Sequence, residues 1–394
     1  MRVKRIIPLI LLCCLLSGCW DKIEINRRAF VSTIVIDIGE NIDKQEELKT
    51  IRSNEPFKED EYKKISVTFG IPDISQLGPD KGGSTKEEYI KVEAFSMQDA
   101  ISELASKVSR SIDIGQTRLL IMSNEVLEYP DVVKEFLDFF NRQPDLNRMM
   151  LTLVAKGKAE DYTKFTPPLE KNIESFITGI MENSTKNSSI LPMRLNELLV
   201  ELYQYGSVVV PSIEYDKEDK EKVLLSGVSL IKDYKLEGEL TPIETATLEI
   251  LRGTIQGGKE TILKDGHPIE FEIRGINRRI SLMDDKDPKK LKFKIDIDLE
   301  GQLKGYYIDN NIFTQEELEK IQDSFNDVIE RKNERLARII QEEFGVDAIG
   351  LKEYVEKFKP EVYKRIGDNW DEAYKGANID LEVTTQARRI GVTK

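Results

Sequence analysis

The stretch KFKIDIDL, residues 292–299, decides the fold of the second half of this chain. Its apolar residues Phe293, Ile295, Ile297 and Leu299 alternate with charged ones, which predicts a β-strand with one buried and one solvated face. Strands with one solvated face are typical of antiparallel sheets. Further strand patterns precede this stretch and helical patterns follow it. The sequence therefore predicts an α+β domain in which an antiparallel sheet packs against long helices.

The longest predicted helix follows that strand and runs from Thr314 to about Phe344. Thr314 and Glu317 form a capping box at its start, and a helix of this length extends roughly 45 Å at 1.5 Å per residue. Lys332 interrupts its apolar stripe, which favours packing across the domain's own sheet over a long coiled coil. The alternation at 379–383 predicts a last strand that completes the sheet.

Strands and helices alternate in the part of the chain that precedes this domain. Strands are predicted at 31–38, 65–71, 119–122 and 149–155, and helices at 96–110, 131–141, 169–183 and 194–205. This alternation predicts a mixed α/β N-terminal domain, so the fold class of the whole chain is α/β and α+β in several domains. The predicted division is a signal peptide at 1–18, an N-terminal α/β domain at 19–190, a connecting region or small middle domain at 191–222, and a C-terminal α+β domain at 223–394.

Residues Leu16-Ser17-Gly18-Cys19 form a bacterial lipobox. The apolar run before it has 11 residues, from Ile6 to Leu16, whereas a membrane-spanning helix needs roughly 20, so residues 1–18 are predicted to be a signal peptide. Processing at this motif would attach a diacylglyceryl group to the Cys19 sulfur and an acyl chain to its amine. The sequence thus predicts a lipoprotein held outside the cytoplasmic membrane, and the alternative is an ordinary cleaved signal followed by a chance cysteine.

The net charge and the cysteine content limit which partners and disulfides the mature chain is expected to have. Removal of three positive charges with residues 1–18 changes the net charge from −13 to −16, which argues against nucleic-acid binding. An acidic body also repels anionic lipid headgroups, so attachment is expected to come from the acyl chains. Cys19 is the only cysteine of the mature chain, and no disulfide is therefore expected.

Most familiar enzyme chemistries lack the residues they need in this sequence. The single histidine, His267, lies in the turn signature Asp-Gly-His-Pro and is interpreted as a structural loop residue. Residues 253–260 resemble a phosphate-binding loop, but Glu260 stands where Ser or Thr would bind Mg²⁺, and a Gly-rich turn is favoured. Asp296 and Asp298 continue a face that bears lysines, which indicates solvated charge. No catalytic residue, metal ligand or cofactor is predicted.

Several motifs together resemble the Ger(x)C, or GerAC-like, family of spore germination lipoproteins. They are GCWDKIEIN at 18–26 with Ala29-Phe30-Val31, FFNRQPDLNR at 139–148, FGVDAIG at 344–350, Trp370, and ARRIG at 387–391. The resemblance covers essentially the whole mature chain, and the N-terminal motif is its most specific part.

The resemblance implies a receptor component and not an enzyme. Members of that family act with two integral membrane subunits in the inner membrane of endospores, where the complex responds to nutrient germinants and starts germination. This implies a lipid-anchored protein on the outer face of the cytoplasmic, or spore inner, membrane; whether this subunit binds the germinant stays open. The family-motif positions, with structural or partner-contacting roles, are Trp20, Asp21, Glu24, Asn26, Arg142, Pro144, Arg148, Asp347, Gly350, Trp370, Arg388 and Arg389.

Two other classes of lipoprotein compete with this interpretation. A solute-binding lipoprotein of a membrane importer would have two similar doubly wound lobes with a ligand cleft at the strand ends, whereas the second half here shows consecutive antiparallel-type strands. A hydrolase of the spore wall would need a pair of carboxylates in a cleft.

Overall fold

The computed structural model describes residues 27–52, 54, 56, 58–73, 87–183, 190–219, 222–264, 266–304, 314–367 and 369–390. The predicted signal peptide and the motif residues Cys19, Trp20, Asp21, Glu24 and Asn26 lie outside the described residues.

The strands and helices of the described residues largely follow the sequence patterns. The strands are β1 Arg28–Phe30, β2 Thr33–Ile38, β3 Ile65–Pro72, β4 Glu87–Ala94, β5 Ser111–Asp113, β6 Leu119–Ser123, β7 Leu151–Ala155, β8 Ser207–Tyr215, β9 Val223–Lys232, β10 Lys235–Leu240, β11 Lys259–Lys264, β12 His267–Asp284, β13 Lys292–Lys304 and β14 Asn378–Ile390. The main helices are α1 Met97–Lys107, α2 Pro130–Arg142, α3 Ile173–Glu182, α4 Leu195–Tyr205, α5 Pro242–Arg252, α6 Gln315–Arg338, α7 Leu351–Phe358, α8 Pro360–Ile366 and α9 Trp370–Lys375. Single helical turns lie at Gln45–Leu48, Ile42–Lys44, Glu59–Glu61, Val126–Glu128, Ala159–Lys164 and Ile339–Phe344.

The first half of the chain builds an eight-stranded sheet in the order β10-β9-β8-β7-β6-β2-β3-β4. Its centre, β2, β6, β7 and β8, is parallel, and antiparallel strands flank it on both sides. The continuous apolar run Leu119–Met122 on β6 is at most 1% exposed, as expected for a parallel strand that is covered on both faces. The predicted mixed α/β N-terminal fold is confirmed.

Helices cover the two faces of this sheet unequally. Apolar residues of α1, α2 and α4 pack on one face, and α3 packs on the other together with the turn Ala159–Lys164. The short parallel pair β1–β5 lies beside the sheet at the point where the described chain begins.

The second half builds a four-stranded sheet in the order β11-β12-β13-β14. Phe293, Ile295, Ile297 and Leu299 are at most 1% exposed and form its buried face, as their alternation predicted. The predicted antiparallel pairing is found for β11–β12 and β12–β13, whereas β14 runs parallel to β13. The chain between these two strands passes through α6 to α9, and such a crossover returns it in the same direction.

The long helix α6 packs against its own sheet, mainly along β14, as the sequence predicted. Three of its side chains, one turn apart, accept hydrogen bonds from backbone N–H groups on the free edge of β14. The donor and acceptor pairs are Val383 N to Glu330 Oε2 at 3.2 Å, Thr385 N to Asn326 Oδ1 at 2.7 Å, and Ala387 N to Gln322 Oε1 at 2.9 Å. Four helical residues rise about 6.0 Å and two strand residues about 6.6 Å, so the two spacings match. We call these three side chains the edge ladder; they close an edge that could otherwise pair with another strand.

The two halves form separate sheets and are not two similar lobes. Strands β9 and β10, which the sequence analysis groups with the C-terminal domain, pair with β8 and extend the N-terminal sheet. The domain bounds stay a prediction. One half has a parallel centre and eight strands, the other a mixed sheet of four, which differs from the paired doubly wound lobes of solute-binding lipoproteins.

The motifs that resemble catalytic sites lie at a helix end, in a turn and on the outer face of a sheet. Helix α5 ends at Arg252, Gly253 caps it with φ 71°, and β11 follows, so the order is helix then strand, opposite to that of a phosphate-binding loop. His267 opens β12 after the turn residue Gly266, whose φ is 80°. Asp296 lies on the outer sheet face, 2.9 Å from Lys294 Nζ. In the part of the chain that the structure describes, no helix is long and apolar enough to cross a membrane.

Candidate functional site

The described motif residues occupy three places and do not converge on one centre. Asp347, Gly350 and Trp370 lie where the C-terminal helices meet the N-terminal sheet, a region we call the joint. Arg142, Pro144 and Arg148 lie in the connection from α2 to β7, at the amino ends of the parallel strands. Arg388 lies on the outer face of the four-stranded sheet, where it pairs with Glu300 at 2.6 Å, and Arg389 is paired in register with Gln302.

Asp347 organises the start of α7 within the joint. Its Oδ1 accepts the N–H groups of Gly350 and Leu351, each at 3.0 Å, and its Oδ2 accepts that of Lys352 at 2.7 Å. These donors belong to the first turn of the helix, which otherwise has no partners for them, and the helix dipole also favours an anion there. Gly350 has φ 85°, a left-handed conformation that a residue with a side chain adopts only with strain.

The half-buried Arg278 lies near the Asp347 carboxylate. Burial raises the pKa of Asp347, while its three N–H donors and the charge of Arg278 act in the opposite direction. Burial, with the like charge of Arg252, lowers the pKa of Arg278 to about 10. The Arg278 guanidinium donates to the carbonyls of Leu251 at 3.0 Å and Ile349 at 3.2 Å, so it ties α5 to the loop before α7.

Trp370 extends this cluster into the C-terminal core. Its ring stacks on Tyr374 at 6.4 Å between centroids, and Trp370 is 5% exposed. Burial raises the pKa of Tyr374 well above its usual range, and the charge of Asp347 adds to that effect. Gln341 donates to the carbonyls of Tyr374 and Ala377 at 2.6 and 2.8 Å, which fixes α9 against the end of the long helix.

Side chains of both halves meet across the joint. Lys352 Nζ donates to the carbonyl of Tyr205 on α4 at 3.1 Å, and Arg252 lies 3.5 Å from Glu201 on the same helix. Lys232 on β9 reaches Asp371 at 2.7 Å and the carbonyl of Gly345 at 3.1 Å.

Close backbone approach completes the joint. A Cβ atom on Gly238 of β10 would overlap the ring of Phe344, so this position requires glycine. The remaining cavity, lined by Glu201, Arg252 and Asp347 among others, has a volume of about 40 Å³. Ligand pockets usually measure about 300–1,000 Å³, whereas this cavity has room for a water molecule or two. The joint is therefore suited to hold the two sheets in a fixed relative orientation and not to bind a nutrient.

The central motif fixes the loop before β7. Arg148 donates to the Asn141 carbonyl at 2.5 Å, which closes the loop on itself, and Asn147 donates to the Thr117 carbonyl at 2.9 Å. Arg142 lies at the end of α2 and pairs with Asp138 at 2.9 Å on the exposed surface. This loop borders an open groove of about 390 Å³, whose lining includes Arg118, Asn147, Met149, Glu182 and Arg194.

A buried glutamate that the sequence analysis missed lies on the edge strand β4. Glu87 is 4% exposed, and burial raises its pKa to about 7, although hydrogen bonds from Tyr89 and Thr33 lower it. Thr33 Oγ1 donates to Glu87 Oε1 at 3.1 Å, Tyr89 OH donates to Oε2 at 2.6 Å, and Ser32 Oγ also donates to Oε1. The local sequence Glu-Glu-Tyr gives no signal of burial, because two of the three donors, Ser32 and Thr33, lie at the start of β2, far away in the chain.

Comparison with known proteins gives this fold a family. The model of the spore germination protein N-terminal domain matches residues 21–215, and the spore germination B3/GerAC-like C-terminal model matches residues 226–391. The chain is 26% identical to the spore germination protein YndF of Bacillus subtilis, over all of this chain and 99% of that protein. It is 24% identical to spore germination protein B3 of the same organism, over 95% of each.

A solved structure shares the fold. The crystal structure of the GerBC protein superposes with a TM-score of 0.58 at 22% identity and covers 82% of this chain and 93% of that one. The resemblance seen in the motifs is thus confirmed, and the chain belongs to the Ger(x)C, or GerAC-like, family of spore germination proteins.

Proposed function

We propose that this chain is the lipid-anchored, non-catalytic subunit of a nutrient germinant receptor in the inner membrane of bacterial endospores. The observation that carries the proposal is the position of the lipobox cysteine, Cys19, two residues before the family match begins at residue 21. An acylated Cys19 would hold the body on the outer face of that membrane. Its partners there would be two integral membrane subunits, with which it responds to nutrient germinants.

A structural role for the buried carboxylates supports the absence of catalysis in this proposal. Asp347 caps α7, as described above. Asp37, at the end of β2, accepts the N–H groups of Ala159 at 2.7 Å and Glu160 at 2.8 Å and caps the turn that follows β7. Glu87 accepts three hydroxyl groups. Each of these groups is engaged by the chain's own donors, which is typical of structural buried carboxylates and not of a general acid or base facing a cleft.

The anchor is tested in spores whose only copy of this protein carries Cys19→Ala. We expect the variant to leave the membrane fraction and the nutrient response to be lost or strongly reduced, because the sulfur that carries the lipid is absent. The matched control is Cys14→Ala, the same change within the predicted signal peptide, which should alter neither. A Cys19→Ala protein that stays in the membrane fraction and supports normal nutrient germination would contradict the proposal.

A further inference from the structure

Arginines collect at the amino ends of the parallel strands in an otherwise acidic chain. Arg28 opens β1, Arg118 directly precedes β6, Arg148 lies in the loop before β7, and Arg194 directly precedes α4. Arg28 and Arg118 have ion pairs, with Asp113 at 2.7 Å and Glu174 at 3.2 Å. We call this surface the arginine edge.

Two of these arginines are available to pair with an anionic ligand. Arg148 and Arg194 are exposed, and no carboxylate of the described ranges forms an ion pair with either. Arg148 donates to a backbone carbonyl, and Arg194 Nη1 lies 3.9 Å from the Met149 sulfur. Met149 is 52% exposed between them. A cationic surface with an exposed apolar residue at its centre is the composition expected of a contact with lipid headgroups.

The opposite ends of the same strands carry acidic residues. Asp37 lies near the end of β2, Glu125 follows β6, and Glu160 follows β7. Lys156 and Lys158 also follow β7, and Glu160 pairs with Lys91 at 2.8 Å, so this end of the sheet carries both signs of charge. In a chain of net charge −13, Arg148 and Arg194 are cations that an anionic membrane can attract.

The tether places this edge near the membrane if Cys19 carries the lipid, so the inference rests on the proposed function. Arg28 is nine positions after Cys19, and these nine peptide units span at most about 30 Å. Arg118 N donates to the Ser32 carbonyl at 2.8 Å, Leu151 N donates to the Arg118 carbonyl at 2.9 Å, and Leu151 is bridged to Arg194. Three strand spacings of about 4.8 Å put Arg194 roughly 15 Å from Ser32, which is within reach of the tether.

We propose that the arginine edge faces the membrane and that Arg148 and Arg194 contact the phosphates of anionic phospholipid headgroups there. Met149 and Arg194 also line the open groove of about 390 Å³ beside this contact. Guanidinium groups bind phosphate oxygens through paired N–H donors. Glu182 also lines the groove, so the net charge there is small and the affinity is expected to be low. A weak contact suffices, because the anchor keeps its local concentration high.

The experiment couples the full mature chain to vesicles through its only cysteine, Cys19, with a maleimide lipid. Hydrogen–deuterium exchange of the peptide over residues 141–151 is then compared on phosphatidylcholine vesicles and on vesicles that also contain phosphatidylglycerol. We expect slower exchange on the anionic vesicles, with peptides that contain Glu125 or Glu160 unchanged. The variant Arg148→Gln with Arg194→Gln should lose the difference, since each arginine near an anionic surface contributes about a fivefold change in partitioning.

The matched control is Arg331→Gln with Arg338→Gln, which removes the same charge from the exposed side of α6 and should keep the difference. Equal exchange over 141–151 on both kinds of vesicle would overturn the proposal. So would the same protection by soluble glycerol phosphate over neutral vesicles, because the ligand would then be a free phosphate ester. Since the coupling is chemical, these outcomes do not depend on whether cells acylate Cys19, which the spore experiment tests separately.

Discussion

Replacement of Asp347 by alanine should destabilise the joint more than any other exchange of one aspartate there. Asp347 is half-buried, and its carboxylate accepts three backbone N–H groups at 2.7–3.0 Å. Loss of an N-cap costs about 1 kcal/mol, and leaving buried donors without their charged acceptor costs about 1–3 kcal/mol more. Arg278 would also lose the opposite charge near it. We expect Asp347→Ala to lower the free energy of unfolding by about 2–4 kcal/mol.

The assay is urea denaturation of the mature chain, followed through the fluorescence of Trp370, which is buried in the same cluster. The matched control is Asp371→Ala, because Asp371 is 60% exposed and pairs with Lys232 across the joint. A surface ion pair contributes little, so this control should cost only a small fraction of the loss at Asp347. Asp347→Asn keeps an oxygen acceptor and should fall between the two. Equal costs for Asp347→Ala and Asp371→Ala would refute the reasoning.

Three further predictions follow from other contacts. Asn326→Ala removes the centre of the edge ladder and leaves the N–H of Thr385 without its acceptor. Urea denaturation should then show a free energy of unfolding lower by about 2 kcal/mol, and size-exclusion chromatography should show self-association. A variant that stays monomeric and equally stable would contradict this prediction. A second prediction concerns Glu87, whose pKa in the folded protein, about 7, lies above its ordinary value of 4.5. Its contribution to the free energy of unfolding, about 3 kcal/mol, is therefore present below pH 4.5 and is lost as the pH rises through 7. When urea denaturation is measured from pH 5 to 8, Glu87→Gln should remove this fall in the free energy of unfolding. A pH profile that the exchange leaves unchanged would contradict the prediction. Gly238→Val should lower the melting temperature, because the new side chain would overlap Phe344. Gly179→Val, at a half-buried helix site where a Cβ atom meets nothing within 4 Å, should have a smaller effect; equal effects would exclude the close approach.

Local periodicity was enough to predict the elements of the C-terminal half. The alternation over 292–299 and the apolar stripe of the helix from Thr314 depend on neighbouring residues only, and both elements form as expected. The parallel direction of β14 was not predictable in this way, because strand direction depends on the path of the connection and not on the strand's own residues.

Contacts between distant residues account for what the sequence analysis missed. Lys352 and Tyr205 are 147 residues apart, and nothing in either segment signals the other. Gln322, Asn326 and Glu330 occupy one side of a helix, but their role appears only when a strand edge with matching spacing lies beside them. The motif residue Asp347 was recognisable by resemblance, whereas its three N–H partners are a property of the folded loop.

The most direct test of the proposed receptor role is cross-linking of intact spore membranes, followed by purification of this chain and mass spectrometry. We expect cross-links from this chain to two integral membrane proteins, and we expect those cross-links to disappear in spores that carry Cys19→Ala. A chain recovered from the membrane with internal cross-links alone, or with links to an importer permease, would contradict the role of a receptor subunit.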